Sequence, residues 1–430
     1  MKISFGYFAT LLSLMSIFSA CQDDVNDVID NNQEPVDEQF VLKEKSDIQI
    51  SEAQKKMVAG QESFALNCFQ SLLDSQKGNF AFSPFSLSML LSMTANGAEE
   101  TARQEIARVL GDPDGNIENL NALNKKLAEE LVNLDNSAQL GFVNAGWCNL
   151  PYQFAPAFES KTSEDYSASL KSMDFSSSSA LAELNRWFDE ATHGLVPEMY
   201  KTMPGGDLIL SNTSYFKGAW TLPFDKSLTR QEDFLNADGS LSKVDMMQLK
   251  HGNLYYFHSN ECDMVHLPFG NEAFSAYFFM PHGDMDLEMI KDLLSYENRQ
   301  ILATEEKFKT DKFFFDNKLE VNLPKFKVDC MLENMKDVVL NAGVKELFDS
   351  PISGILDGTN TAINLIHQKN VFQIDEDGAE GASISNGILN TVDFSGVVRV
   401  PKITFDKPFF FMIDEASTGS ILFMGFVRNF

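Results

Sequence analysis

The segment that decides the reading of this chain is "IDEDGAEGASISNGILNTVDFSGVVRVPKITF", from Ile374 to Phe405. It lies between an apolar run and a phenylalanine-rich one, where a surface loop joining two strands is expected. Yet its small residues fall at every second position: Ala379, Gly381, Ser383, Ser385 and Gly387. Successive side chains of a strand point to opposite faces, so a period of two is a strand signature rather than a turn signature. One face of such a strand is nearly bare, while Glu380, Ala382, Ile384 and Asn386 vary on the other. The stretch thus combines the position of a loop with the period of a strand.

The rest of the chain has the make-up of a large globular domain. A hydrophobic content of 44% and a charged content of 22% over 430 residues describe a globular protein. No Gly/Ser- or Pro-rich linker interrupts the interior, so a single domain over 49–430 is expected. The net charge of -28 argues against nucleic acid as a partner and favours encounters with cationic ones. Residues 1–20 read as export machinery: Lys2, then "FGYFATLLSLMSIF", an apolar run too short and too early for a spanning helix. "FSAC" then sets small residues before Cys21, which resembles a bacterial lipoprotein signal whose Cys becomes the lipidated first residue. A plain secretory signal with an incidental Cys is the alternative. Gln22, Asp23 and Asp24 resemble the start of lipoproteins displayed on the outer-membrane surface or released outside the cell. Residues 21–48 are rich in Asp, Asn, Gln and Glu, too polar to fold, and read as a disordered acidic tether. Cys68, Cys148, Cys262 and Cys330 are far apart in apolar surroundings, so four free thiols are expected, with disulfides as the alternative and no metal site.

Along the domain, Ser51 is a plausible N-cap for a helix that spaces Phe64, Cys68 and Leu72 by four. A short strand before Pro84 leads into a nearly all-apolar helix from about Ser86 to Ala95, then an amphipathic one from Glu99 to Leu110. "LGFVNAGWCNL", "DLILSNTSYFKGAW", "DMVHLPFGNEAFSAYFFMP" and "FFFDNKLEVNLPKFKVDC" read as strands. "DLEMIKDLL" and "LENMKDVVLNAGVKELF" read as helices, and "FFFMID" and "SILFMGFVRNF" as closing strands around the turn "EASTGS". Helices early and strands late indicate an α+β fold with large antiparallel or mixed sheets.

The residue constellations of common enzymes are missing. No H-E-x-x-H, P-loop, G-x-G-x-x-G after a strand or G-x-S-x-G occurs. His193, His251, His258, His266, His282 and His367 show no ligand spacing, and carboxylate pairs in so acidic a chain carry no information. The chain reads as a protein that is not an enzyme and needs no cofactor.

Six segments in order then resemble the serpin family of protease-trapping inhibitors. They are "NFAFSPFSLSMLLSMTANGAEETARQEI", "LSNTSYFKGAWTLPFD", "VNLPKFKVD", "MKDVVLNAGVKELFD", "FQIDEDGAEGASI" and "FDKPFFFMIDEASTGSILFMGFVRNF". The resemblance runs from about residue 52 to the end. It implies a serpin fold of three β-sheets with about eight or nine helices and an exposed reactive-centre loop, in a monomer. It also implies a mechanism in which a serine protease, or in some cases a cysteine protease, is acylated by the loop. The cut loop then inserts as a strand in the large sheet.

Carried over residue by residue, the loop hinge is Glu376, Gly378, Ala379, Glu380, Gly381, Ala382, Ser383, Ile384 and Ser385. Ala379, Gly381 and Ile384 depart from the commoner Thr, Ala and small residue. A sheet-opening cluster comprises Ser83, Ser86, Asn212 and Trp220, with Gln368 at a position that typically holds His; His367 is one residue early. The usual spacing from Glu376 places the scissile bond at Val392–Asp393, and counting back from Phe405 places it near Val397–Val398, with Phe394–Ser395 between. Valine there implies elastase-like targets, and Phe394 chymotrypsin- or subtilisin-like ones. A non-inhibitory member acting as a binding or chaperone-like surface protein is the alternative.

Overall fold

The computed structural model describes residues 41–251, 254–258, 260, 262–283, 294, 295, 299, 319–363, 366–379 and 402–430. The compact unit runs from Leu42 to Phe430. Residues 42–48, expected within the tether, are packed onto this body. Ile48 is buried and its N–H donates to Ser417 Oγ, while the Lys43 N–H donates to Asn136 Oδ1. An apolar side chain and side-chain partners for backbone groups are what a disordered tether lacks.

Among the described residues there are eight α-helices: α1 (Glu52–Ser75), α2 (Pro84–Ala95), α3 (Glu100–Val109), α4 (Ile117–Leu131), α5 (Pro156–Tyr166), α6 (Ala180–Ala191), α7 (Met335–Asn341) and α8 (Glu346–Asp349). The Ser51 cap is a full capping box, in which Ser51 Oγ accepts from Gln54 N–H and Gln54 Oε1 accepts from Ser51 N–H. Helix α2 starts earlier than expected, with Pro84 in its first turn and Ser83 as N-cap, because proline costs nothing where no intrahelical donor is needed. The helix expected over 332–348 is instead two, α7 and α8, separated at Gly343, whose φ of +109° ends the first.

The strands form three sheets. The first runs β1 (Phe80–Phe82), β16 (Ile421–Val427), β15 (Phe409–Glu415), β9 (Phe274–Pro281), β8 (Cys262–Phe269), β7 (Tyr255–His258). The second runs β14 (Lys402–Thr404), β10 (Leu319–Pro324), β6 (Leu241–His251), β5 (Arg230–Leu235). The third and largest runs β11 (Phe326–Leu332), β12 (Gln368–Ile374), β13 (Gly378–Ala379), β4 (Leu208–Ala219), β2 (Ala138–Asn149), β3 (Ser169–Met173). Pairing is antiparallel except for β2 with β3 and β10 with β14. Three sheets and eight helices in an α+β arrangement agree with the expected fold.

Phenylalanine alternation in β15 joins the layers. Phe411 faces the large sheet, stacked on Phe372 of β12 at 4.5 Å and near Phe326 of β11 at 5.4 Å. Phe410 points the other way, against Phe69 of α1 at 5.5 Å and Phe279 of β9 at 5.1 Å. Each such ring pair adds about 0.5–1.5 kcal/mol beyond the area it buries. The first sheet is therefore the platform on which the large sheet rests.

One charged group sits inside this platform. Arg299 is fully buried, ion-paired with Asp414 of β15, 3.6 Å from Glu62 of α1, and donates to the carbonyl of Leu294 at 2.8 Å. Replacing it by an uncharged residue of similar length strands Asp414 in the core. Arg299→Met should therefore cost about 3–5 kcal/mol, read as a fall in the urea midpoint at unchanged slope; an unmoved midpoint would show that the pair does not hold α1 to β15.

Candidate insertion site in the large sheet

The large sheet is unevenly paired. On one side β4 matches β2 through eleven residue pairs, from Ala138 opposite Gly218 to Cys148 opposite Leu208. On the other side β12 matches β11 through seven, from Phe326 opposite Ile374 to Leu332 opposite Gln368. Between β4 and β12 the described residues supply only β13: Ala379 lies opposite both Ile374 and Gly218, and Gly378 opposite Ala219. Further along, the two facing edges bound a cleft lined by Ser86, Asn212, Ser214, His367, Gln368 and Asn370.

The chain enters this place through a tight, clamped turn. Asp375 Oδ1 accepts from the N–H groups of Asp377 and Gly378, and Asp375 N–H donates to Gly378 O at 3.0 Å. Glu376, nearly buried, pairs with Lys325 Nζ at 2.7 Å and accepts from Thr229 Oγ1 at 2.7 Å. Asp377 pairs with Lys226 at 2.6 Å. Trp220 stacks on Phe269 at 4.4 Å with an interplanar angle of 10°, and its indole N–H donates to Asp375 O. Gly378 has φ +152°, and a Cβ there would lie 2.0 Å from Gly218 O, so no other residue fits without displacing β4. Ala379 is fully buried.

Glu380, Gly381, Ala382, Ser383, Ile384 and Ser385 lie outside the described residues. So do Val392, Asp393, Phe394, Ser395, Val397 and Val398 of the loop, and Cys21.

Of the expected cluster, Ser83, Ser86, Asn212 and Gln368 lie together around the cleft, whereas Trp220 sits apart from them at the hinge turn. Gln368 Oε1 accepts from Ser83 N–H at 3.1 Å, and its amide donates back to Ser83 O at 2.9 Å. Ser83 Oγ donates to Leu422 O and accepts from Ser86 N–H. Asn212 donates to Asn144 Oδ1 at 2.7 Å, leaving its own buried Oδ1, like Ser86 Oγ, without a partner. His367 faces the other side of the sheet, 6.1 Å from the Tyr200 ring, where burial holds its pKa below the ordinary value. Gln368 is therefore the cluster member.

Lys325, Thr229, Lys226 and Asn144 were not singled out in the sequence. Lys325 had a signal, being the charged residue that follows a proline between two apolar strands. Thr229 and Lys226 had none, because they meet the hinge from 147 and 151 residues away.

The clamp has a pH dependence. Burial by itself would raise the Glu376 pKa, but hydrogen bonds from Lys325 and Thr229, with the lysine charge, hold it below the ordinary 4.5. A carboxylate depressed in the folded state contributes stability above its unfolded pKa, and that contribution is lost as pH falls through the folded value. The clamp should persist from neutrality to about pH 4.5 and fail below it. Trp220 emission in a Trp147→Phe/Trp187→Phe background should shift over that acid range. Glu376→Gln should show the shifted emission at pH 7 and no further acid step.

A family model described as Serpin (serine protease inhibitor) matches residues 59–430. Iripin-8 of Ixodes ricinus is 27% identical over 388 residues, covering 88% of this chain and 94% of its own length. Serpin I2 of Homo sapiens is 28% identical over 375 residues, covering 85% and 90%. Among solved structures, the native state of the thermophilic serpin Tengpin superimposes with a TM-score of 0.74 at 22% identity, covering 90% of this chain and 97% of that one. Serpin48 of the insect Tenebrio molitor does so with a TM-score of 0.70 at 24% identity, covering 89% and 100%. Model, relatives and architecture agree along nearly the whole described body, and the chain belongs to the serpin family.

Proposed function

We propose that this chain inhibits serine-type endopeptidases as a suicide substrate, with cysteine proteases as a secondary class, and that it is exported and held at the outer membrane by lipid on Cys21. The observation that carries the inhibitory reading is the register of β13. Continued past Ala379 in an inserted strand, it would set Gly381 opposite Phe372 and Phe216, Ser383 opposite Asn370 and Ser214, and Ser385 opposite Gln368 and Asn212. Opposed residues share a face of a sheet, and Phe372, Asn370 and Phe216 are buried. In that strand the residue with no side chain would meet two rings, and the two hydroxyls would meet polar groups. That is the match an inserted strand needs.

In this reading the protease nucleophile attacks the carbonyl of the reactive residue, the peptide bond breaks, and the new amine leaves with the C-terminal part of the loop. Val392–Asp393 is the assigned bond, which makes elastase-like enzymes the targets. Phe394–Ser395, with chymotrypsin- or subtilisin-like targets, and Val397–Val398 are the competing bonds. Insertion adds about ten backbone hydrogen bonds at about 1 kcal/mol each, a gradient on the order of 10 kcal/mol that competes with deacylation. A second reading, a non-inhibitory binding protein, is favoured by Ile384 and by the strand-weakening Gly381.

Mixing with pancreatic elastase should give a complex that survives boiling in detergent, and a cleaved form with a raised melting temperature. Ser385→Arg buries an unpaired charge worth several kcal/mol against insertion. It should be cut as a plain substrate with the complex lost; undiminished trapping by this variant would overturn the reading, and cleavage of the parent chain with no complex and no melting shift would select the second one. For the anchor, Cys21→Ser should move the protein from the membrane pellet to the soluble fraction, and continued sedimentation would remove Cys21 from that role.

A further inference from the structure

We propose that Tyr166 is a positioning residue for strand insertion, its buried hydroxyl tying the strands that must move to the helices that stay. This rests on the reading above, in which a strand enters between β4 and β12. To admit it, the two edges must stand two strand spacings apart, each about 4.8 Å. β4 cannot move alone, because eleven residue pairs join it to β2, and β2 carries β3. On the other side, β12 is fastened to the start of α2 through Gln368 and Ser83, and β11 to β1 through Cys330 Sγ and Ala81. The parting line therefore runs between the β2–β3–β4 block and α2.

A continuous line of polar groups crosses that parting line. Asn212 of β4 donates to Asn144 of β2 at 2.7 Å, and Asn144 donates to the carbonyl of Tyr166, the last residue of α5, at 2.8 Å. Tyr166 OH donates to Asn121 Oδ1 of α4 at 2.6 Å. Asn121 and Asn96 exchange two amide hydrogen bonds, at 2.8 and 3.1 Å, and Asn96 is the C-cap of α2, donating also to Ser92 O. Asn121, Asn144 and Tyr166 are all buried. Drawing β2 and β4 aside pulls α5 with them through Asn144, and the phenol must leave Asn121 in a place where water cannot replace it. The tie thus opposes opening, while leaving the loop and its bond untouched.

Tyr166→Phe removes the hydroxyl and keeps the ring. The probe is a synthetic peptide of the sequence 379–390, annealed to the intact full chain and followed by native-gel mobility and melting temperature. Tyr166→Phe should take up the peptide about threefold to tenfold faster than the parent chain. Asn121→Ala, which also breaks the two bonds to Asn96, should be at least as fast, and the double variant should be no faster than Asn121→Ala, since the Tyr166 bond is already lost in it. The urea midpoint of the loop-cleaved form should be unchanged in Tyr166→Phe, whereas a purely structural hydroxyl would lower it. Parental uptake by Tyr166→Phe, or additive effects in the double variant, would overturn the proposal. If the parent chain takes up peptide yet never forms a protease complex, the inhibitor reading fails and the rate comparison still decides the tie. If it takes up no peptide, both fail.

Discussion

Two strand edges face each other inside one sheet, and most of the molecule follows from that. β4 and β12 each present a row of backbone donors and acceptors, and among the described residues only Gly378 and Ala379 reach between them. Unpaired strand edges are costly inside a protein and are ordinarily covered or closed off. Here the continuation of the same chain carries an alternation of small residues, Gly381, Ser383, Ser385 and Gly387.

The surroundings of this place serve opposite ends. Glu376, Asp377 and Trp220 hold the turn at the mouth of the sheet, so the two residues already between the strands are in defined register. Beneath, the floor changes character along its length, from the rings of Phe372 and Phe216 to the amides of Asn370, Gln368 and Asn212. The orphaned Asn212 Oδ1 and Ser86 Oγ lie in that polar stretch, where a buried group without a partner costs about 1–3 kcal/mol.

Much of the scaffold was legible because its signals are local. The Ser51 capping box needs four residues, the α2 helix announces itself by an unbroken apolar run, and β15 shows its two faces in consecutive phenylalanines. The alternation after Gly378 was equally plain. Local rules failed where a neighbour in sequence competed with a neighbour in space. The helix expected over 332–348 breaks because Gly343 takes a left-handed turn, and residues 42–48 look like tether until Ser417 and Asn136 supply partners for their backbone. Polar composition described that strap correctly and still misplaced it.

The sequence by itself carried the family resemblance in six motifs in order, the α+β class, and which set of loop residues is small, since motif order, hydrophobic period and side-chain size are all properties of the chain before it folds. It also placed Gln368 in the polar cluster by counting from the hinge. Only the tertiary structure decided that Lys325 and Thr229 clamp Glu376, that His367 turns away from the cluster, and that rings and then amides line the facing edges of β4 and β12. Those are contacts between residues tens to hundreds of positions apart, and their energies depend on burial and register, neither of which exists until the chain has closed on itself.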